Sequence, residues 1–383
     1  MTSNRLNILI TDADFKHTLG IVRSIGKRYS VFVLSFHRHS LSSFSRFCKG
    51  ELIIPNYDKP DFLEKIIEIF KLKKIDVIIP VGSNSVRKFS DIRDEINKYV
   101  KILLPPVDSL RISLSKNESI KVAKAIGIPC PKTYEISDIN DIDNLKEKLS
   151  FPCVIKSPAE VGYNIVDYVN NKDELLTKYH RIAVKVPDSA GLPIVQEYIE
   201  GVGCGFFALY LNGECGPVFM HKRVREFPPS GGYSTAAESI DIKEVEKYGR
   251  LLLDHLKWNG IAMVEFKLRK GGIPYFMEIN PKFWGSTELA IASGVNFPEL
   301  IISALYSNKI SYSKNYKLNI RFHWPFNGDI GHSLLNPRAI FSVMKDCLSA
   351  NTKSNFRLFK DPLASVMIII FGFYTRCKYF INK

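Results

Sequence analysis

Tyr275–Ser286, YFMEINPKFWGS, runs an apolar stretch straight into Glu278, Asn280 and Lys282. Strand side chains alternate faces with a period of two, so these three polar residues are expected on one face. Phe276 is expected on that face too, with Met277, Ile279 and Pro281 on the other. The preceding residues extend the pattern to MVEFKLRKGGIPYFME (263–278). Gly271-Gly272 suits a two-residue hairpin turn, which needs positive φ at both central positions. Such a turn pairs Lys270 with Ile273, and counting outward brings Glu265 opposite Glu278. Directly opposed like charges repel unless something compensates them. A divalent cation does so, and two carboxylates with an amide oxygen suit Mg²⁺, which takes its remaining ligands from water and phosphate. Lys282, one step further, is then placed for a phosphate oxygen.

The 383 residues are enough for about two to three domains, and a hydrophobic fraction of 45% supplies a full core. The seven cysteines are scattered without a C-x-x-C pair, so neither a disulfide framework nor a zinc site is expected. The opening MTSNRLNILITDAD meets acids after a short apolar run, unlike a signal peptide, and the expectation is a cytoplasmic chain. The net charge of +14 asks for an anionic partner: nucleotide phosphate, nucleic acid or an anionic membrane surface. No recognisable nucleic-acid module is present, and nucleic acid is not expected as a partner.

In the first hundred residues, short apolar runs alternate with helical patterns. NILIT (7–11), VFVLSF (31–36), ELIIP (51–55), DVIIPVG (76–82) and KILLPP (101–106) read as strands, which argues for βαβ units and an open parallel sheet. Thr11, Asp12 and Ser83 to Ser85 fall at strand ends, where such sheets hold ligands. The first turn lacks G-x-G-x-x-G, so dinucleotide binding is not supported. A helical pattern from Leu110 to Ile126 stops at Gly127, Pro129 and Pro131. PCVIKSPAEVGYN (152–164) reads as a strand ending at Lys156 and a loop holding Gly162. LPIVQEYIEG (192–201) reads as a strand leaving through a hinge, and residues 205–226 as a hairpin turning at Asn212-Gly213. In HKRVRE (221–226), alternation gathers His221, Arg223 and Arg225 into one basic wall. The Pro- and Gly-rich loop FPPSGGYST (227–235) is placed to close over it.

CVIKSP, VQEYIEG, VEFKL and YFMEINPKFWGS together resemble the ATP-grasp superfamily, in particular its carboxylate–amine ligases and carbamoyl-phosphate-synthase-like members. The resemblance implies an N-terminal open parallel α/β domain (1–108), a two-lobed ATP-grasp module (109–330, small lobe about 128–200, large lobe about 201–330) and a helical C-terminal extension (331–383). It implies that Lys156 meets the α/β-phosphates of ATP, with Lys116 as the earlier nucleotide lysine. Gln196, Glu197, Tyr198 and Ile199 correspond to the hinge that reads adenine. Gly203 stands near the place of the family's ribose-binding acid, with Glu200 as a substitute. Glu265, Glu278 and Asn280 are the implied ligands of Mg²⁺, with Mn²⁺ as the alternative ion. Lys282 stands where many relatives have arginine and keeps the charge without the bidentate geometry. Arg223 and Arg225 are the implied cations for the γ-phosphate and an acyl-phosphate, under a loop that excludes water.

The implied activity is ATP-dependent ligation of a small-molecule or glycan carboxylate to an amine, in cell-surface polysaccharide or peptide biosynthesis. Catalysis in such a site is positioning and charge stabilisation. Two alternatives stay open: a nucleotide-binding regulatory protein without turnover, and a basic nucleic-acid-associated protein. At the C-terminal end, PLASVMIIIFGFYT (362–375) is fourteen residues without charge, shorter than the ~20 a spanning helix needs. Two readings stay open here as well. One is a helix on the protein's own core. The other is peripheral membrane contact through residues 362–380 at the inner face, helped by Arg376, Lys378 and Lys383 and by Phe371, Phe373, Tyr374, Tyr379 and Phe380.

Overall fold

The computed structural model describes residues 5–160, 165–313 and 315–381, apart from the side chain of Phe380. Of the sequence readings, Gly162, the Phe380 ring and Lys383 lie outside the described residues. The fold is mixed α/β, with a parallel sheet at the N-terminus and a largely helical C-terminal end.

Strands β1 (Asn7–Ile10), β2 (Ser30–Ser35), β3 (Gly50–Ile53) and β4 (Val77–Ile79) form a parallel sheet in the order β3-β2-β1-β4. Ile8, Leu9, Ile10, Val31 and Val33 are fully buried, as expected of a sheet covered on both faces. KILLPP contributes a single bridge, Lys101 to Val77, rather than a strand, because Pro105 and Pro106 have no N–H for a ladder. The expected long helix at Leu110–Ile126 is two helices, Val107–Leu114 and Lys116–Ala125. Ser115 breaks it and caps the second, accepting from the Glu118 N–H at 3.3 Å.

A four-stranded sheet follows: β5 (Thr133–Tyr134), β6 (Cys153–Lys156), β7 (Val166–Val169) and β8 (Ile194–Glu197), in the order β5-β8-β6-β7. It packs its own core around Ile142, Ile155, Leu175 and Tyr179. The largest sheet has β9 (Gly201–Leu211), β10 (Glu214–Phe227), β11 (Tyr233–Ser239), β12 (Gly260–Arg269), β13 (Pro274–Asn280), β14 (Arg321–His323) and β15 (Thr352–Ser354), in the order β13-β12-β9-β10-β11-β14-β15. The C-terminal segment is therefore not helical alone, since β15 adds an edge strand parallel to β14. One apolar cluster runs from Ile8 and Ile10 of β1 through the helices Thr287–Ser293 and Phe297–Ser307 to Phe207, Leu209 and Met263 of the large sheet. It fixes the first sheet against the end of β13.

The β12–β13 hairpin turns differently from expectation. Arg269 N–H donates to Ile273 O at 3.0 Å, so the loop holds three residues, Lys270, Gly271 and Gly272. Both glycines have positive φ, 102° and 87°. A register shift then leaves Met277 without a partner, and beyond it Glu265 pairs with Glu278 and Met263 with Asn280. The bulge also turns Phe276 to the face opposite Glu278, where it joins Val264, Phe266 and Ile279 in a second apolar core.

Candidate active site

Glu265 and Glu278 face each other across adjacent strands, and cations reach them from several elements. Lys116, the first residue of its helix, places Nζ 3.4 Å from Glu278 Oε2. Its backbone N–H donates to Pro158 O at 2.7 Å, which ties it to the loop after Lys156. Lys156, at the end of β6, is buried. Burial, then the charge on Lys116, lower its pKa to about 8 against the opposing pull of Glu278 and Glu265. Burial alone would raise the Glu278 carboxyl, but Lys116, Lys156, the Asn280 amide and Lys282 together hold it well below its ordinary value. Asn280 Nδ2 donates to Glu278 Oε1 at 3.0 Å. Glu265 is shifted the other way: burial and its like-charged neighbour Glu278 outweigh Arg223 and raise it.

Arg223 Nη2 lies 2.6 Å from Glu265 Oε1, and Nη1 donates to Glu226 Oε1 at 2.8 Å and to Gly232 O at 2.9 Å. It thus links the carboxylates to the Pro/Gly-rich loop. Tyr168 of β7 packs against Gly231 of that loop, close enough that any side chain at 231 would collide with its hydroxyl. Tyr168 also meets Tyr198 edge-on at 5.9 Å. Lys282 Nζ donates to Ser83 Oγ at 2.6 Å and lies 3.5 Å from Glu160 Oε1, so it links the helix after β4, the loop after β6 and the end of β13.

The basic wall expected on β10 is divided. Val224 is bulged: Arg223 pairs with Ala237 and Arg225 with the adjacent Ala236, which puts the two arginines on opposite faces. Arg225 is buried away from the carboxylate pair. It holds Asp329 through Nε at 2.9 Å and Nη2 at 2.8 Å, and Asp346 through Nη1 at 2.6 Å. His221 carries no charge to the site either. It is buried, its Nε2 is 2.6 Å from Ser286 Oγ, and burial followed by Arg223 lowers its pKa to about 3.

The hinge is narrower than the sequence suggests. Gln196 and Glu197 lie within β8, paired to β5 and β6. Gln196 Nε2 donates to Thr133 Oγ1 at 2.9 Å, and Glu197 Oε2 accepts from the Lys132 N–H at 3.0 Å. Strand pairing stops at Glu197 and resumes at Gly201, leaving Tyr198, Ile199 and Glu200 outside both sheets. Gly203 has a local reason: a Cβ there would sit 2.8 Å from Arg223 Cδ, so an acid and Arg223 exclude one another. Of the expected strand-end ligands, Asp12 is engaged internally. Its carboxylate accepts from the Gly82 N–H at 2.8 Å, from Ser85 Oγ at 2.6 Å and from Thr11.

Sequence reasoning missed Glu160, Lys16 and His17. Lys16 Nζ donates to Ser234 O at 3.3 Å and sits 4.4 Å above the Trp324 ring; burial lowers its pKa to about 7. Burial, Lys16 and then Lys282 keep His17 neutral, near 3. The available signal was the Lys16-His17 pair just past the end of β1.

The donors suit a hard cation. Glu265 is raised first by burial and then by Glu278, and a divalent ion between the carboxylates would remove the repulsion. Among the described residues, no three His, Cys, Asp or Glu side chains group closely enough to hold a metal alone. An ion here would therefore combine Glu265, Glu278 and the Asn280 oxygen with water and phosphate, the habit of Mg²⁺.

Residues 194–325 match a family model described as "ATP-grasp in the biosynthetic pathway with Ter operon". The chain is 25% identical over 281 residues to the carbamoyl phosphate synthase large chain of Thermoanaerobacter sp. (strain X514), covering 70% of this chain and 25% of that one. It therefore spans about a quarter of the length of that relative. It is also 25% identical over 292 residues to D-alanine–D-alanine ligase B of Clostridium perfringens (strain 13 / Type A), covering 69% and 88%. Among solved structures, the biotin carboxylase–β-γ-ATP complex from Campylobacter jejuni superposes with a TM-score of 0.68 at 15% identity, over 83% of this chain and 74% of that one.

Proposed function

We propose, from the premise that this chain has the ATP-grasp fold and that residues 194–325 form an ATP-grasp domain, that it is an ATP- and Mg²⁺-dependent carboxylate–amine ligase. The observation that carries this reading is the pairing of Glu265 with Glu278, ringed by Lys116, Lys156, Arg223 and Lys282. Such a site concentrates positive charge around a metal-ready carboxylate pair, and the chemistry proposed here needs no protein nucleophile.

When bound at Glu265, Glu278 and Asn280, Mg²⁺ supplies charge neutralisation for the phosphates. Lys156 and Lys116 bind phosphate oxygens and hold the nucleotide tail. The substrate carboxylate attacks the γ-phosphorus and ADP leaves. Lys282 and Arg223 stabilise the charge that develops on the transferred group. The loop at Gly231–Gly232, held by Arg223 and covered by Tyr168, keeps water from the acyl-phosphate. An amine then attacks the acyl carbon and phosphate leaves, giving an amide. The adenine lies against Tyr198–Glu200.

The carboxylate is a small molecule or a glycan acid, from peptide or cell-surface polysaccharide synthesis. A further part of the proposal is peripheral membrane contact through residues 362–380, which brings the site to acceptors carried at a membrane surface. ADP release measured with pools of carboxylic acids and amines, followed by mass spectrometry of the product, tests the chemistry. A pair-dependent release of ADP with a new amide supports it. ATP binding without release for every pair tells against it.

A further inference from the structure

The helix Ile340–Leu348 is built inside out. Its buried residue is Asp346, 4% exposed, which ion-pairs with Arg225. Its apolar side chains point outward instead: Phe341 is 77% exposed and Leu348 84%, with Ile340 and Met344 about half exposed. On a helix these four residues share the side opposite Ser342 and Asp346, both of which meet Arg225. An amphipathic helix packed on its own protein has the reverse arrangement.

The C-terminal helix Pro362–Ile381 has two apolar faces. Ala364 and Ile368 are fully buried against Leu19 and Leu41. Val366, Ile370, Phe373 and Tyr374 lie on the opposite side and are exposed. One face of this segment is therefore core, and the other is left open.

Charge says what covers the open faces. Residues 331–383 contain only two acids, Asp346 and Asp361. Both are buried and turned inward, onto Arg225 at 2.6 Å and Arg23 at 2.7 Å. Arg338, Lys345, Lys353, Lys360 and Lys378 are exposed. The outer surface of this layer thus offers apolar side chains and cations, with no acid among the described residues. A second copy would bring the same positive charge and be repelled, whereas an anionic lipid surface complements both features. Insertion across a bilayer is not the geometry. No single helix among the described residues is long and apolar enough to cross, and the one pair that passes together, Thr287–Ser293 with Phe297–Ser307, is bent by 80° and lies in the core.

We infer that the helices Ile340–Leu348 and Pro362–Ile381 form one docking surface that seats in the headgroup layer of an anionic bilayer. The inference rests on the peripheral-contact reading and extends it to a second helix; it does not depend on the ligase chemistry. The test is co-sedimentation of the full chain with vesicles of phosphatidylcholine plus phosphatidylglycerol, and with phosphatidylcholine alone. The wild type should bind the anionic vesicles, weakly the neutral ones, and release with added salt. Phe341→Glu/Met344→Glu and Ile370→Glu/Phe373→Glu should each lower the partition constant by roughly tenfold or more. Lys345→Glu/Lys353→Glu, at two exposed side chains, should lower it by roughly fivefold or more per position. ADP release should stay at the wild-type rate in all three, which separates lost docking from lost turnover. Loss of binding in the Ile370/Phe373 variant alone overturns the two-helix surface and leaves contact through 362–380 standing. No binding to any vesicle overturns both. A dimer in sedimentation equilibrium that Phe341→Glu/Met344→Glu dissociates would show that a second copy covers the face, and would also overturn the inference.

Discussion

Arg223 Nη2 lies 2.6 Å from Glu265 Oε1, and its stem crosses residue 203 so closely that a Cβ there would come within 2.8 Å of Cδ. Gly203 is therefore a condition for the arginine's position. The site gains a fixed cation on its carboxylate pair and has no carboxylate at position 203.

Gly203→Ala should displace Arg223 while leaving the surrounding strands in place, because the side chain can move where the backbone need not. The expected result is a fall in kcat of roughly tenfold or more, since a charge aimed at the developing transition state is misplaced. KM for ATP should change little. Steady-state ADP release over a range of ATP concentrations reads both; an unchanged kcat would separate Arg223 from the reaction.

Glu278→Gln removes the carboxylate on which Lys116, Lys156 and Lys282 act. The amide keeps the shape and loses the charge that a divalent ion needs, so turnover should drop by about a hundredfold or more at saturating Mg²⁺. The circular dichroism spectrum should match the wild type, because the residue is only partly buried. Near-normal kcat in this variant is incompatible with metal ligation by Glu278.

The pairing behind that prediction was legible by counting residues, but not by the path the count assumed. The turn holds Lys270, Gly271 and Gly272, one residue more than expected, and the bulge at Met277 takes that residue back before Glu278. The apolar runs of the N-terminal sheet were legible because strands buried on both faces read as continuous Val/Ile stretches. The Ser115-x-x-Glu118 cap was legible in principle. What escaped were positions set by partners far along the chain. Strict alternation joins Arg225 to Arg223, whereas the bulge at Val224 sends it to Asp329 and Asp346, 104 and 121 residues away. The inverted polarity of Ile340–Leu348 has the same distant origin, since its inward residue is chosen by Arg225.

Lys156 makes the site pH-dependent. Its folded pKa is near 8, lowered from 10.5 chiefly by burial. ATP affinity should thus weaken as pH rises through about 8 and the ammonium loses its proton. For stability the sign runs the other way. Between about pH 8 and 10.5 the unfolded chain binds more protons at this lysine, so its contribution to stability improves with rising pH and is unfavourable below that window. Lys156→Met should therefore raise the stability of the nucleotide-free protein at neutral pH, by about 1–3 kcal/mol, while greatly weakening ATP. Calorimetric Kd values for ATP and adenosine across this range, with melting curves, provide the check. Equal weakening of both ligands would detach Lys156 from the phosphates.

Arg223 and Arg225 are two residues apart, and their replacement should separate function from fold. Arg225 is buried with two carboxylates, and its Asp329 partner also holds His323 Nδ1 at 2.9 Å. Arg225→Ala leaves Asp329 and Asp346 as buried charges with fewer partners, and breaking such a pair from one side costs about 3–5 kcal/mol. The loss should fall on the C-terminal layer, because the helix Ile340–Leu348 is tied down through Ser342 and Asp346. Hydrogen exchange should show that helix and β15 opening first, while the β12–β13 hairpin stays protected. Arg223→Ala should cost less stability and bring a large fall in kcat, since its partners Glu226 and Glu265 keep 18% and 16% of their side-chain exposure, against 0% and 4% for Asp329 and Asp346. If Arg225→Ala lowers kcat with no loss of stability, the arginine reaches the reaction after all and the division of the wall at Val224 does not hold in solution.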